Sequence, residues 1–247
     1  MPRYDFRAPR LFVRAPLAGG ALVPLDRSQA HYLGTVLRMR SGERVFVFNG
    51  RDGEWSATLQ AQKRAAALLV EENTRPQPVP PDLHYLFAPL KAARLDYMVQ
   101  KAVEMGASLL QPVLTRHGQV ARVSSERMLA NAVEAAEQCG LLSLPDINPL
   151  VPLADVLANW NPERRLIFCD EDAGVQTPIA ALAEVSSDPL ALLIGPEGGF
   201  SAEERATLLK RPNVVRISLG PRILRADTAA VAALAVIQAV AGDWRER

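Results

Sequence analysis

The chain has 247 residues, 49% hydrophobic and 22% charged, a balance that excludes a disordered chain and allows one large core or two smaller ones. Net charge is only +1, yet residues 1 to 75 carry twelve Lys and Arg against seven Asp and Glu, while the remainder carries sixteen against twenty. A basic front and a mildly acidic remainder fit one part that grips phosphates and another that does chemistry.

Cys139 and Cys169 lie far apart and form no zinc spacing, so no metal is expected and both read as small buried hydrophobes in a reducing compartment. The opening Met1 to Arg7 lacks the apolar run of a signal peptide. The most apolar stretch, Ala229 to Ala241, falls short of the ~20 residues that span a bilayer. A cytoplasmic protein without membrane attachment is expected.

Along the chain, His31 to Arg38 has helix-like apolar spacing with Ser28 as an N-cap, and Arg44–Phe48 and Glu54–Leu59 read as strands. Between those strands, Asn49 to Gly53 is a turn cluster suited to positive φ. The front therefore reads as a small barrel or curled sheet, residues 1–75. The proline-rich Thr74 to Pro81 forms an extended connection, and a second domain, residues 76–247, follows. There, short apolar runs at His84–Ala88, Leu109–Leu114, Leu166–Cys169, Ala191–Ile194 and Val214–Ile217 alternate with helical segments. The helices fall at Ala93–Met105, Glu126–Cys139, Thr177–Glu184, Ser201–Leu209 and Thr228–Val240. That alternation predicts an α/β domain with a mostly parallel sheet covered on both faces.

Two strand-to-helix loops stand out. Gly195-Pro196-Glu197-Gly198-Gly199-Phe200 leads into the capping box Ser201 to Glu204, and its glycines allow a ligand to approach the backbone. It lacks the Lys-Ser/Thr of a phosphate loop and the spacing of a dinucleotide fingerprint, so ATP and NAD are poor candidates, and a nucleotide-binding metabolic enzyme would have to show binding to one of them. The second loop, Leu219-Gly220-Pro221-Arg222-Ile223-Leu224-Arg225-Ala226-Asp227, puts two arginines before a helix whose N-cap candidate is Asp227.

Together, IGPEGGF and LGPRILRADTA resemble the paired signature of the RsmE family of 16S rRNA uridine-N3 methyltransferases, in the SPOUT superfamily. The resemblance extends to HYLGTVLRMRSGERVFVFNG, to Lys91–Gly106 and to Glu134–Gln138, and so covers nearly the whole chain. It implies an α/β architecture with an N-terminal PUA-like β-barrel that binds RNA and a C-terminal SPOUT-type domain with a trefoil knot. It further implies S-adenosylmethionine as cofactor, a homodimer, and 16S rRNA of the assembled small subunit as partner, with uridine 1498 as target. The family's cofactor pocket maps onto Leu86, Gly195, Pro196, Glu197, Gly198, Leu219, Gly220, Ile223, Leu224 and Arg225. Arg225 and Glu197 become the catalytic candidates, for charge stabilisation and proton acceptance, and Arg10, Arg38, Arg40 and Arg222 the RNA contacts. Two positions depart from the family: Ala226-Asp227 replaces Thr-Glu, and Leu141 stands where arginine is common. The alternatives are another SPOUT-type RNA methyltransferase, acting on a ribose 2′-hydroxyl or on tRNA, and a non-catalytic RNA-binding ribosome-assembly factor.

Overall fold

The computed structural model describes residues 8–61, 66–170, 177–185 and 188–246, and the segment 1–7, read above for a signal sequence, lies outside them. Two compact units emerge: residues 1–79 with 136–144, and residues 80–135 with 145–247.

In the first unit, β1 (Arg10–Phe12), β2 (Leu22–Pro24), β3 (Arg44–Phe48), β4 (Glu54–Ala61) and β5 (Ala66–Arg75) form a curled sheet in the order β1-β3-β4-β5-β2. Among the described residues only the β1–β3 pairing is parallel. Its interior is aliphatic, from Leu11, Val45, Val47, Leu59, Leu68 and Val70. The predicted Asn49–Gly53 turn is present with Gly50 and Gly53 at positive φ, and a Cβ on Gly53 would lie 2.3 Å from the Arg75 carbonyl oxygen. The helix differs from expectation. It begins at α1 (Arg27–His31) and continues as a π-helical turn, Tyr32–Val36. Its N-cap is Asp26 rather than Ser28, because Asp26 and Gln29 complete a reciprocal capping box two residues earlier. Arg38 follows at φ 57, the left-handed conformation in which chains commonly leave a helix.

Glu54 anchors this unit. Its side chain is 4% exposed and accepts from Arg10 Nε at 3.0 Å, Arg75 Nη2 at 2.5 Å and Thr74 Oγ1 at 2.9 Å. Burial pushes the Glu54 carboxyl up, but the bonds from Arg75, Thr74 and Arg10 outweigh it and hold it below the usual range. Arg10 is thereby corrected as an RNA contact: its side chain is 5% exposed, paired with Glu54 and set over the Phe46 ring.

The second unit is an α/β domain. In chain order it comprises β6 (Leu83–Phe87), α2 (Ala92–Glu104), β7 (Leu109–Leu114), α3 (Ser125–Cys139, whose last turn belongs to the first unit), β8 (Asp146–Ile147), β9 (Val151–Pro152) and α4 (Leu153–Ala158). Then come β10 (Arg165–Cys169), α5 (Pro178–Ala183), β11 (Leu190–Ile194), α6 (Ala202–Leu209), β12 (Val214–Ile217) and α7 (Ala226–Ala241). The sheet runs β12-β10-β11-β6-β7-β8, with β9 also on β7, and every pairing is parallel. All five residues of β11 are buried, as a central strand covered on both faces requires.

The expected strands and helices are present to within one or two residues at their ends. α7 is the predicted apolar helix, burying Ala226, Ala230, Ala233, Leu234, Ile237 and Gln238 along one stripe. Among the described residues no helix is long and apolar enough to cross a membrane, and no cluster of metal-ligating side chains occurs. The cysteines depart from expectation. Cys139 is exposed at the end of α3; Cys169 is half-buried as a residue, and burial pushes its thiol up to about 12.

Candidate functional site

In a parallel sheet the strand ends that carry the C-terminal loops open toward one edge, where neighbouring loops diverge and leave a crevice. Here the C-terminal end of β10 and the loops after β11 and β12 line a cavity of about 500 Å³. Gly195, Pro196 and Glu197 line it from one side, and Leu219, Gly220, Ile223, Leu224 and Arg225 from the other. The two signature loops, separated in sequence by α6 and β12, therefore share one space, as their common pattern predicts. Arg222, expected to contact RNA, lines the same cavity. Leu86 and Gly198 do not: Leu86 is buried in the core beside Phe168 and Leu193, and the Gly198 carbonyl lies 3.1 Å from His117 Nδ1.

Local sequence explains the shape of the first loop. Phe200 folds back beneath it and meets Phe168 edge-on at 5.3 Å between centroids. That packing requires glycine at 195, where a Cβ would lie 2.6 Å from the Phe200 ring. Ser201 and Glu204 then close their capping box, with Ser201 Oγ accepting from the Glu204 amide at 3.2 Å. Glu204 Oε2 accepts from the Ser201 amide at 2.8 Å, and its Oε1 accepts from the Arg116 amide at 2.8 Å, tying α6 to the loop after β7. In the second loop Gly220 sits at φ 96 with open space where a side chain would project.

Two charged arrangements were not singled out from sequence. Asp170, at the end of β10, is 4% exposed and accepts from Arg205 Nη2 at 3.0 Å and Arg216 Nε at 2.9 Å, which fixes α6 and β12 to the floor of the cavity. Arg94 joins the two sides. Its Nε and Nη2 each donate to Asp227 at 2.9 Å, and its Nη1 donates to Glu197. One guanidinium so links the loop after β11 to the first turn of α7. Arg94 holds the Asp227 carboxyl below the usual carboxylate range, helped by the Thr228 amide, and the two carboxylates push Arg94 up in turn. The N-cap of α7 is Arg225, not Asp227, because Asp227 lies one residue inside the helix and spends its oxygens on Arg94 and Thr228. A trace of Arg94 was visible in the sequence: a cation in the first turn of a helix opposes the macrodipole unless an anion answers it, and no acid occupies the first turn of α2.

Among the exposed arginines, Arg38 and Arg40 lie on the first unit and Arg225 on the cavity wall. No ion pair of Arg225 occurs among the described residues. The cavity thus combines apolar surface from Leu219, Ile223 and Leu224 with glycine backbone, the Glu197 carboxylate and the guanidinium groups of Arg222 and Arg225.

Comparison with known proteins agrees with this geometry. A profile for an RNA methyltransferase domain matches residues 76–238, and one for an RNA methyltransferase PUA domain matches residues 25–71. The Ribosomal RNA small subunit methyltransferase E of Synechocystis is 31% identical over 89% of this chain and 74% of its own length. A methyltransferase from Legionella pneumophila, solved with bound SAM, superposes with a TM-score of 0.83 at 29% identity, over 96% of this chain and 99% of that one. The Ribosomal RNA small subunit methyltransferase E of Neisseria gonorrhoeae, bound to S-adenosyl methionine, gives 0.82 at 26% identity, over 96% and 100%. With a PUA domain in front of a SPOUT-like α/β domain, and both signature loops meeting at one cavity, the chain belongs to the ribosomal RNA small subunit methyltransferase E family.

Proposed function

We propose that this protein methylates N3 of a uridine in 16S rRNA of the assembled small ribosomal subunit, at uridine 1498, using S-adenosylmethionine. The observation that carries the reading is the 500 Å³ cavity that residues of both signature loops line. The cofactor fits this wall: Leu219, Ile223 and Leu224 offer apolar surface to an adenine ring, and the bare backbone at Gly195 and Gly220 offers amides and carbonyls to its edge. Leu86 supports the wall from the core and Gly198 from the far side of the loop. Bound there, S-adenosylmethionine supplies a methyl group on a positively charged sulfur that leaves as a neutral thioether.

The protein's own work is alignment and preparation of the nucleophile. A uridine N3 carries an imide proton, and its removal spreads negative charge onto O2 and O4. Glu197 accepts that proton: its Oε1 is held by Arg94, while Oε2 has no partner among the described residues. Arg225, on the cavity wall, stabilises the charge that develops on the base. The base must be unstacked to present its Watson–Crick edge. Arg38 and Arg40 on the front domain, residues 1–75, and Arg222 beside the cavity hold the surrounding phosphates, while residues 76–247 do the chemistry.

A homodimer is supported by Ile223, which is 92% exposed although apolar, and by the partly exposed Val231, Val236 and Val240 of α7. A trefoil knot is supported by the return of the chain from edge strand β12 to pack α7 on β11 and α2. The setting is the cytoplasm, where small subunits mature.

The test is incubation with labelled S-adenosylmethionine and unmodified small subunits, followed by mass spectrometry of the nucleosides. Labelled 3-methyluridine is expected. Another methylated nucleoside would remove the target assignment, and absence of label despite cofactor binding would remove the catalytic one.

A further inference from the structure

A second crevice, of about 110 Å³, lies on the other flank of the loop after β11. It sits at the C-terminal ends of β6, β7 and β11, whereas the large cavity sits at those of β10, β11 and β12. Leu90, Lys91, Arg94 and Gln119 line it, and Pro196 and Glu197 are the residues it shares with the large cavity. Group transfer needs two binding spaces that meet, and these two share Pro196 and Glu197. At 110 Å³ the crevice is well below the ~300 Å³ at which drug-sized ligand sites begin, so it has room for a single ring.

The chemistry of the rim selects among single rings. The imide edge of uracil presents acceptor, donor, acceptor in the order O4, N3–H, O2. Arg94 has five N–H donors, of which three are engaged with Asp227 and Glu197, leaving two. Glu197 has one oxygen to accept with, and the Gln119 amide can donate. The rim is therefore donor, acceptor, donor. Cytosine would set its amino group against the cations Arg94 and Lys91 and its N3 lone pair against the carboxylate, both repulsive.

We propose that this second crevice is the acceptor-base subsite, and that Arg94, Glu197 and Gln119 read the imide edge of an unstacked uracil there. The inference rests on the methyltransferase reading above. In it the N3–H bond breaks with its electron pair left on the imide, the proton passes to Glu197 Oε2, and the charge on the carbonyl oxygens is met by Arg94 and Lys91 on the crevice rim and by Arg225 on the wall of the adjoining cavity. Gln119 is a specificity residue and acts at the base alone.

Gln119 and Lys91 are both exposed, so Gln119→Glu and Lys91→Ala should fold normally. On the full chain, three quantities are measured for each: the Kd of S-adenosylmethionine by calorimetry, the Kd of unmodified small subunits, and kcat/KM for methylation. A carboxylate at 119 would face a carbonyl oxygen, so Gln119→Glu should lower kcat/KM at least about tenfold while the cofactor Kd stays within about twofold. Lys91→Ala should lower kcat/KM with less effect on the subunit Kd than on turnover. If both variants keep kcat/KM within about twofold of the parent, the subsite assignment is overturned while the methyltransferase reading stands. If the parent protein itself binds no S-adenosylmethionine, the underlying reading fails instead.

Discussion

Replacing Glu54 by glutamine should be the most damaging single change in the first unit. The side chain is buried between two guanidinium groups, one of them, Arg10, almost fully enclosed, so the substitution removes a buried carboxylate that both of them pair with. Breaking a buried ion pair from one side costs about 3–5 kcal/mol. With a urea slope near 1.5 kcal/mol per molar for a small domain, the midpoint should fall by about 2 M or more. Trp55, next to Glu54 on β4, reports this unit once Trp160 and Trp244 are changed to phenylalanine. The pH dependence follows from the same contacts. Because the folded carboxyl lies below its ordinary value of 4.5, its contribution is complete above that value and drains away as pH falls through the lower folded value. Glu54→Gln should therefore lose less stability between pH 6 and pH 3 than the parent. A midpoint shift under about 0.5 M would refute the reasoning, since it would mean that the arginines find water when the carboxylate is gone.

Other expectations concern the site. Arg94→Lys keeps the charge but not the fork that spans Asp227 and Glu197, so the cofactor Kd should rise about 5- to 50-fold by calorimetry. Gly195→Ala forces the Phe200 ring aside and should cost about 1–3 kcal/mol in thermal or urea unfolding, together with weaker cofactor binding. Arg38→Ala and Arg40→Ala should each reduce the salt dependence of RNA binding by about one unit of slope, whereas Arg10→Ala should instead cost stability. Ile223→Ser should leave the stability of the single chain within about 0.5 kcal/mol, yet shift sedimentation toward monomer if that side chain is covered in a dimer.

The elements that sequence foretold are those with a clear period or a cap: the central strands, α2, α3 and α7, and the loop that ends in the Ser201 to Glu204 capping box. β8 and β9 have two residues each, too few for any alternation to register, and α4 begins directly after β9 without a side-chain cap. The convergence of the 195–200 and 218–226 loops was legible because each shows the same strand, glycine, proline, helix grammar. What stayed hidden was pairing across the sheet. Nothing near Arg94 in sequence names Asp227, 133 residues away, as its partner, and Arg10 looks like any surface arginine until Glu54 is placed beside it. Charge along a chain reports which residues are polar, whereas burial decides which of them meet solvent.

The first unit is discontinuous in sequence, and this bears on how it comes into being. Phe12 donates its amide to Glu137, Arg75 to the Gly140 carbonyl, and Gln77 to the Leu142 carbonyl and Ser143 hydroxyl, so residues 136–144 supply hydrogen-bond partners that the front segment alone lacks. During synthesis those partners emerge 58 to 64 residues after Val79, a delay of roughly 3–13 s at ordinary elongation rates. Until then the nascent sheet waits with those amides and guanidinium groups answered by water. A protein cut at the proline linker would be frozen in that waiting state, and the front segment is thus poorly suited to being passed between genes as a self-sufficient module.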